Sequence, residues 1–155
     1  MVSKAYYYNA NYFSQDIRNQ GADEFYMRYE IPTDFSVLGD LWGSSYLGIT
    51  RANTTIPRIE EMIEDGVLTD ELGNRLIAEC QFLRGFYYYY LAVNFGGVPV
   101  ILEPQAVDEL FAARNTEEET FQAIEADLQA AVSVLPWTYE EENLGRATKG
   151  AALAY

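Results

Sequence analysis

Apolar side chains recur at intervals of three and four along most of the chain, the period of helices that bury one face. From residue 41 to about 65, Trp42, Tyr46, Ile49, Asn53, Ile56, Glu60 and Ile63 follow that spacing and are mostly apolar, which predicts a first long helix. Pro57 lies inside it and predicts a kink, or a restart with the proline in the first turn. Gly66 marks its end. Thr69 is placed to cap a second helix running to about residue 94, with Asp70 and Glu71 favouring its positive N-terminal end. Gly96 and Gly97 stop that helix, and "VPVILEP" is predicted to be extended, because each proline biases its predecessor away from helix. Thr116-Glu117-Glu118-Glu119 is a capping-box pattern. It opens a third helix with Phe121, Ile124, Leu128, Ala131 or Val132, and Leu135 on one stripe, closed by Pro136. "RATKGAALAY" begins a fourth helix with Thr148 as its cap, and residues 3–19 carry a weaker helical pattern. "QGADEFYMRYEIPTDFSVLG", residues 20–39, has Gly, Pro and Asp punctuation and no sustained period, and reads as a long loop. No strand pair stands out. The expected fold is mainly α, built of antiparallel helix pairs with long irregular loops.

The second helix contains four consecutive tyrosines, Tyr87 to Tyr90. Neighbouring side chains on a helix are about 100° apart, so the four point in different directions and cannot make one flat stacking platform. Cys80, Leu83, Tyr87 and Leu91 share one stripe, and Phe82, Phe86 and Tyr89 another. A helix apolar all round is expected to be buried on every side, with its phenol hydroxyls bonded to neighbouring carbonyls or carboxylates. Glu79 and Arg84 interrupt this surface, on different faces. A buried arginine needs a partner, so Arg84 is either a ligand-binding guanidinium or part of an ion pair or carbonyl clamp that fixes helix packing; the structural reading is the stronger. Asn53, on the apolar stripe of the first helix, is read in the same way as a core hydrogen-bonder. Trp42, Tyr46, Asn53, Glu79, Arg84 and Tyr87 together form the expected structural core.

Composition narrows the chemistry. The 155 residues include no histidine, which removes Ser-His-Asp and Cys-His catalysis and the commonest metal ligand from this chain. With 24 acidic and 10 basic residues the formal charge is −14, a field that repels phosphate backbones, so nucleic acid is excluded as a partner. Glu117–Glu119 and Glu140–Glu142 are runs of adjacent acids rather than facing pairs, which suits solvated helix starts and not catalysis or a metal. No catalytic residue, metal site or cofactor is expected. Cys80 is the only cysteine, which rules out an intrachain disulfide and reads as a small core residue. The start "MVSKAYYYNANYF" lacks a continuous apolar segment of the signal-peptide kind, and the apolar run 86–93 is too short to span a bilayer. "ATKGAALAY" reads as a helix just begun, so a piece of a longer protein is expected.

At the second helix the pattern becomes specific. "AECQFLRGFYYYYLAVNFGGVPVILEP", residues 78–104, resembles the SusD/RagB family, in which a helix of the type A-E-x-x-F-L-R-A-F-Y-Y-F leads into a turn of the type F/Y-G-x-V-P-L. Glu79, Phe82, Leu83, Arg84, Phe86, Tyr87, Tyr88, Phe95, Gly96, Val98 and Pro99 match. Trp42, Tyr46, Ile49 and Asn53 are similar to the family's W-x-x-x-Y-x-x-I-x-x-x-N helix, and "RATKGAALAY" to the segment opening its next helix pair. The resemblance covers roughly residues 20–155. It implies that residues 1–155 are the N-terminal portion of a single SusD-like domain of tetratricopeptide-like helix pairs. It further implies a non-enzymatic, surface-exposed lipoprotein of the outer membrane. Such a protein binds an oligosaccharide, or sometimes a peptide, and is the lid of a TonB-dependent, SusC-like transporter. Family members begin at a lipidated cysteine, and no cysteine precedes Cys80, so the lipid anchor is not present in this chain.

In the resembled family the loop before the W-x-x-x-Y helix contributes to the glycan platform. Here that loop offers Asp23, Tyr26, Arg28, Tyr29 and Phe35, a mixture of aromatic planes and hydrogen-bonding groups suited to sugar rings. Two readings stay open: these side chains contact the ligand, or the aromatics pin the loop to the core. A helical protein–protein module that docks a transporter or peptide without binding glycan is the competing function.

Overall fold

A computed structural model describes residues 28, 30, 32–34, 36–106 and 112–155, and the predicted helix at 3–19 lies outside them. The chain divides into two compact units, residues 1–46 and 47–155. In order the elements are α1 (Ser36–Glu64), α2 (Asp70–Phe95), α3 (Glu117–Val134), a 3-10 turn (Glu141–Asn143) and α4 (Lys149–Leu153). Among the described residues there is no strand. The mainly α expectation holds.

Local chemistry explains most of the helix ends. α1 closes in a Schellman motif: Gly66 takes φ +70°, its N–H bonds the Ile63 carbonyl at 2.9 Å, and the Val67 N–H bonds that of Met62 at 2.9 Å. The Thr69 hydroxyl accepts from the Leu72 N–H and starts α2. α3 opens on the predicted capping box: the Glu119 N–H donates to the Thr116 hydroxyl and the Thr116 N–H to the Glu119 carboxylate. Those bonds, from the Thr116 backbone first, hold the exposed Glu119 carboxyl below its ordinary pKa. Thr148 caps α4 by accepting from the Ala151 N–H.

One expectation about α1 needs correction: it starts at Ser36, inside the predicted loop. Of the two outcomes expected at Pro57 the restart does not occur, since one helix runs through it. Pro57 withholds one N–H from the carbonyl four residues back. The buried positions of α1 are Leu41, Ser45, Ile49, Ala52, Asn53 and Ile59. Trp42 and Tyr46 are only half-buried, with ring centroids 5.0 Å apart. Ser45, between them in the sequence, is fully buried.

Within residues 47–155, α1 and α2 form an antiparallel hairpin. Gly48 faces the Tyr87 ring, and a Cβ there would stand 2.6 Å from its Cδ2. At the other end Gly73 faces Ile63. α2 packs along α3, and α3 along α4. Gly85 allows the close α2–α3 approach, since a Cβ on it would lie 3.2–3.4 Å from Leu128 and Asp127. The buried core of this unit is Phe82, Tyr88, Tyr90, Leu91, Val98, Ile124, Leu128, Ala131 and Leu135, with Ile49, Ile59 and small residues filling the gaps.

The tyrosine run divides as helical geometry requires. Tyr88 and Tyr90 are buried, whereas Tyr87 and Tyr89 are half-buried. Phe86, Tyr89 and Tyr90 meet Tyr155 edge-on, at centroid distances of 5.3, 5.3 and 6.5 Å. α2 is not buried on every side, however: Leu83 is 44% and Val93 53% exposed. Phe121, expected on the inner stripe of α3, is exposed too. Each lies on a helix face that no described neighbour covers.

Candidate functional site

Of the predicted ligand loop, Asp23, Tyr26, Tyr29 and Phe35 lie outside the described residues. Arg28 is exposed, in a turn. Of the other predicted residues, Asn53, Arg84 and Glu79 fall in two polar clusters that share α2.

The first cluster is nearly dry. Arg84 donates from Nε and Nη2 to the two carboxylate oxygens of Asp127, both at 2.7 Å. Its Nη1 donates to the Asn53 side-chain oxygen at 2.7 Å and to the Leu102 carbonyl at 2.8 Å. The Asn53 amide in turn donates to the Ile101 carbonyl at 2.9 Å and that of Glu103 at 3.3 Å. Tyr88 completes the set: its hydroxyl donates to the Ile101 carbonyl at 2.9 Å and accepts from the Ile101 N–H at 2.6 Å.

These bonds explain how "VPVILEP" stays extended without a sheet. A buried backbone needs partners, and side chains supply them here. Val98 N–H donates to the Thr120 hydroxyl, and Val100 N–H to the Asn115 side chain. Arg114 reaches the Gly97 and Phe95 carbonyls, both at 2.8 Å. Gly97 is required by crowding, because a Cβ would stand 2.7 Å from Thr116 C and 2.8 Å from Glu117 N.

Burial opposes the charge on Arg84, but its bonds to Asp127 outweigh burial and raise the guanidinium above its ordinary pKa. Burial pushes the Tyr88 phenol up to about 12, so it stays protonated and able to donate. Every guanidinium bond in this cluster goes to the protein itself. The arrangement ties three helices and an extended segment together, with four of the five guanidinium N–H groups bonded within the protein.

The second cluster is wetter. Glu79 does not meet Arg84. One of its oxygens accepts from the Tyr139 hydroxyl at 3.2 Å and the other from Arg146 Nη1 at 2.8 Å. Arg75 stands 3.8 Å from Glu79 and places its guanidinium 5.6 Å from the Tyr139 ring centroid. Burial, and then the Glu79 charge, raise the Tyr139 phenol above its ordinary pKa. Cys80 beside them is half-buried, its thiol raised first by burial and then by Glu79, which leaves it unreactive near neutral pH. Arg75 and Tyr139 line a cleft of about 680 Å³ between the first turns of α2 and residues 133–143.

Sequence reasoning missed Asp127, Tyr139 and Arg146. Asp127 left a trace, an acid between Ile124 and Leu128 on the inner face of α3. Among the described residues no group of three or more metal-ligating side chains gathers, nor is any helix long and apolar enough to cross a membrane.

Residues 3–155 match a family model of SusD-like proteins described as starch-binding and associating with the outer membrane. The chain belongs to the SusD-like family. SusD-like protein P25 of Formosa agariphila is 30% identical over 116 residues, 74% of this chain and 21% of that protein. A laminarin-binding SusD-like protein of known structure is 30% identical with a TM-score of 0.68, over 74% of this chain and 24% of its own. A structure solved with a xylogluco-oligosaccharide superposes with a TM-score of 0.78 at 26% identity, over 96% of this chain and 30% of the other. The chain thus spans about a fifth of the length of the SusD-like protein P25 it matches.

Proposed function

We propose that this SusD-like chain is part of a surface glycan-binding protein of the outer membrane, one that captures oligosaccharides for a TonB-dependent, SusC-like transporter. The observation that carries this reading is the family match along residues 3–155, which includes relatives that bind laminarin or were solved with a xylogluco-oligosaccharide. Residues 1–155 serve as the N-terminal part of one SusD-like domain. Function is capture without turnover, in keeping with a chain that has no histidine. Asp23, Tyr26, Arg28, Tyr29 and Phe35 form an aromatic and polar rim, and the exposure of Arg28 is compatible with that role. The Arg84 cluster is scaffold.

Isothermal titration against a panel containing laminarin and xyloglucan oligosaccharides tests this. Dissociation constants in the micromolar range or weaker are expected, because a shallow, wet site gains little net free energy per sugar. Substituting Tyr26 and Tyr29 by alanine should abolish the heat. An absence of any saccharide heat, with transporter binding retained, would replace capture by a docking role.

A further inference from the structure

The cleft between the first turns of α2 and residues 133–143 has an apolar floor and an acidic rim. Leu72 and Val134 line it beside Pro136 and stay 36% and 44% exposed. Single exposed apolar residues are ordinary, but here two share one concave wall. Glu71 and Glu140 stand on the same lining, both exposed, and among the described residues neither forms an ion pair. Glu140 precedes the 3-10 turn without a capping bond, and Glu141 and Glu142 follow it, exposed too. α3 ends at this wall with Ser133 and Val134, and its last turn has no basic residue to offset the negative end of the helix. The nearby cations are engaged within the protein: Arg75 lies over the Tyr139 ring beside Glu79, and Arg146 bonds Glu79.

These charges select what can cover the floor. A second copy of the chain would bring the same carboxylates and a net charge of −14. An anionic lipid surface is repelled in the same way. A cationic side chain with a long aliphatic stem matches both parts of the cleft. Its stem covers Leu72 and Val134, and its charge lies among Glu71, Glu140 and the end of α3. We propose that this cleft docks a basic, amphipathic segment of a partner protein, one that presents lysine or arginine and apolar residues on the same face. A volume of about 680 Å³ takes a few side chains of such a segment, with the remainder lying across the rim. This docking does not depend on the glycan-binding reading.

Fluorescence anisotropy with a labelled leucine–lysine amphipathic peptide tests the cleft, with the matching leucine–glutamate peptide and phosphatidylglycerol vesicles as the other arms. The lysine peptide should bind, and the glutamate peptide and the vesicles should not. Glu71→Gln/Glu140→Gln should weaken the lysine peptide about tenfold, as the loss of two solvated ion pairs would. Glu117→Gln/Glu118→Gln removes the same charge at the far end of α3 and should weaken it less than about twofold. Val134→Ser should weaken it about threefold and keep that effect at high salt, where the charges are screened. All five residues are exposed, so circular dichroism melts of the variants should match wild type. Equal losses from the two glutamine pairs would reduce the binding to the overall field of the chain and overturn the site. Binding of the glutamate peptide or the vesicles overturns the assigned partner chemistry. A dimer in sedimentation that Val134→Ser dissolves makes a second copy the occupant and overturns the proposal too. So does an absence of lysine-peptide binding.

Discussion

Two arginine–carboxylate pairs anchor on α2 five residues apart, at Glu79 and Arg84, with nearly equal contact distances. Arg84 meets Asp127 at 2.7 Å with side chains 10% and 6% exposed, whereas Arg146 meets Glu79 at 2.8 Å with side chains 39% and 14% exposed. Distance therefore does not separate them; burial does. In the dry pair every lone pair and proton must be used within the protein, so removing one partner strands a charge. In the wet pair solvent substitutes for a lost partner, and the same bond stabilises little. The difference is visible in what each pair holds: the dry one ties α1, α2, α3 and residues 101–103 together, and the wet one orients Tyr139 at the edge of a cleft.

The largest effect should come from Arg84→Met, which leaves Asp127 buried and unpaired. A loss of about 3–5 kcal/mol in urea-unfolding free energy is expected. A loss below about 1 kcal/mol would make the dry pair no different from the wet one.

Next comes Tyr88→Phe, which leaves the Ile101 N–H without its partner and its carbonyl with the Asn53 amide alone, and should cost about 1–3 kcal/mol. It also sharpens the comparison through pH. A phenol whose pKa is raised on folding from about 10 to about 12 contributes stability that is complete below pH 10 and lost as pH climbs to 12. Wild-type stability should therefore fall more steeply than that of Tyr88→Phe over that alkaline window, and parallel curves would contradict the assignment.

Gly97→Ala probes the same region from its backbone. The added methyl meets the main chain at the start of α3, with no flexible side chain to yield, and about 1–3 kcal/mol should be lost. The smallest effect is expected from Arg146→Gln, about 0–1 kcal/mol and vanishing at high salt, measured by thermal melts at two ionic strengths. A large, salt-insensitive loss there would erase the contrast.

Much of this was legible in the sequence, for a reason that differs element by element. Thr69, Thr116, Thr148, Gly66 and Gly96 act on backbone groups within a few residues, so local pattern alone located five helix boundaries. Arg84 and Asn53 announced themselves as polar residues on apolar stripes. Their partners did not. Asp127 lies 43 residues from Arg84, and Arg146 lies 67 from Glu79, and no periodicity links positions that far apart. Tyr139 sits in an irregular segment after Pro136, where no period exists to be read.

The central claim is that the Arg84 guanidinium is scaffold and not a ligand contact. The most direct test is the double variant Arg84→Met/Asp127→Leu, which removes both charges together. Stability should recover most of what Arg84→Met alone loses, since an apolar pair can replace a buried ionic one at little cost. With helicity by circular dichroism retained, its affinity for laminarihexaose should stay within twofold of wild type. A folded double variant that no longer binds the sugar would contradict the account.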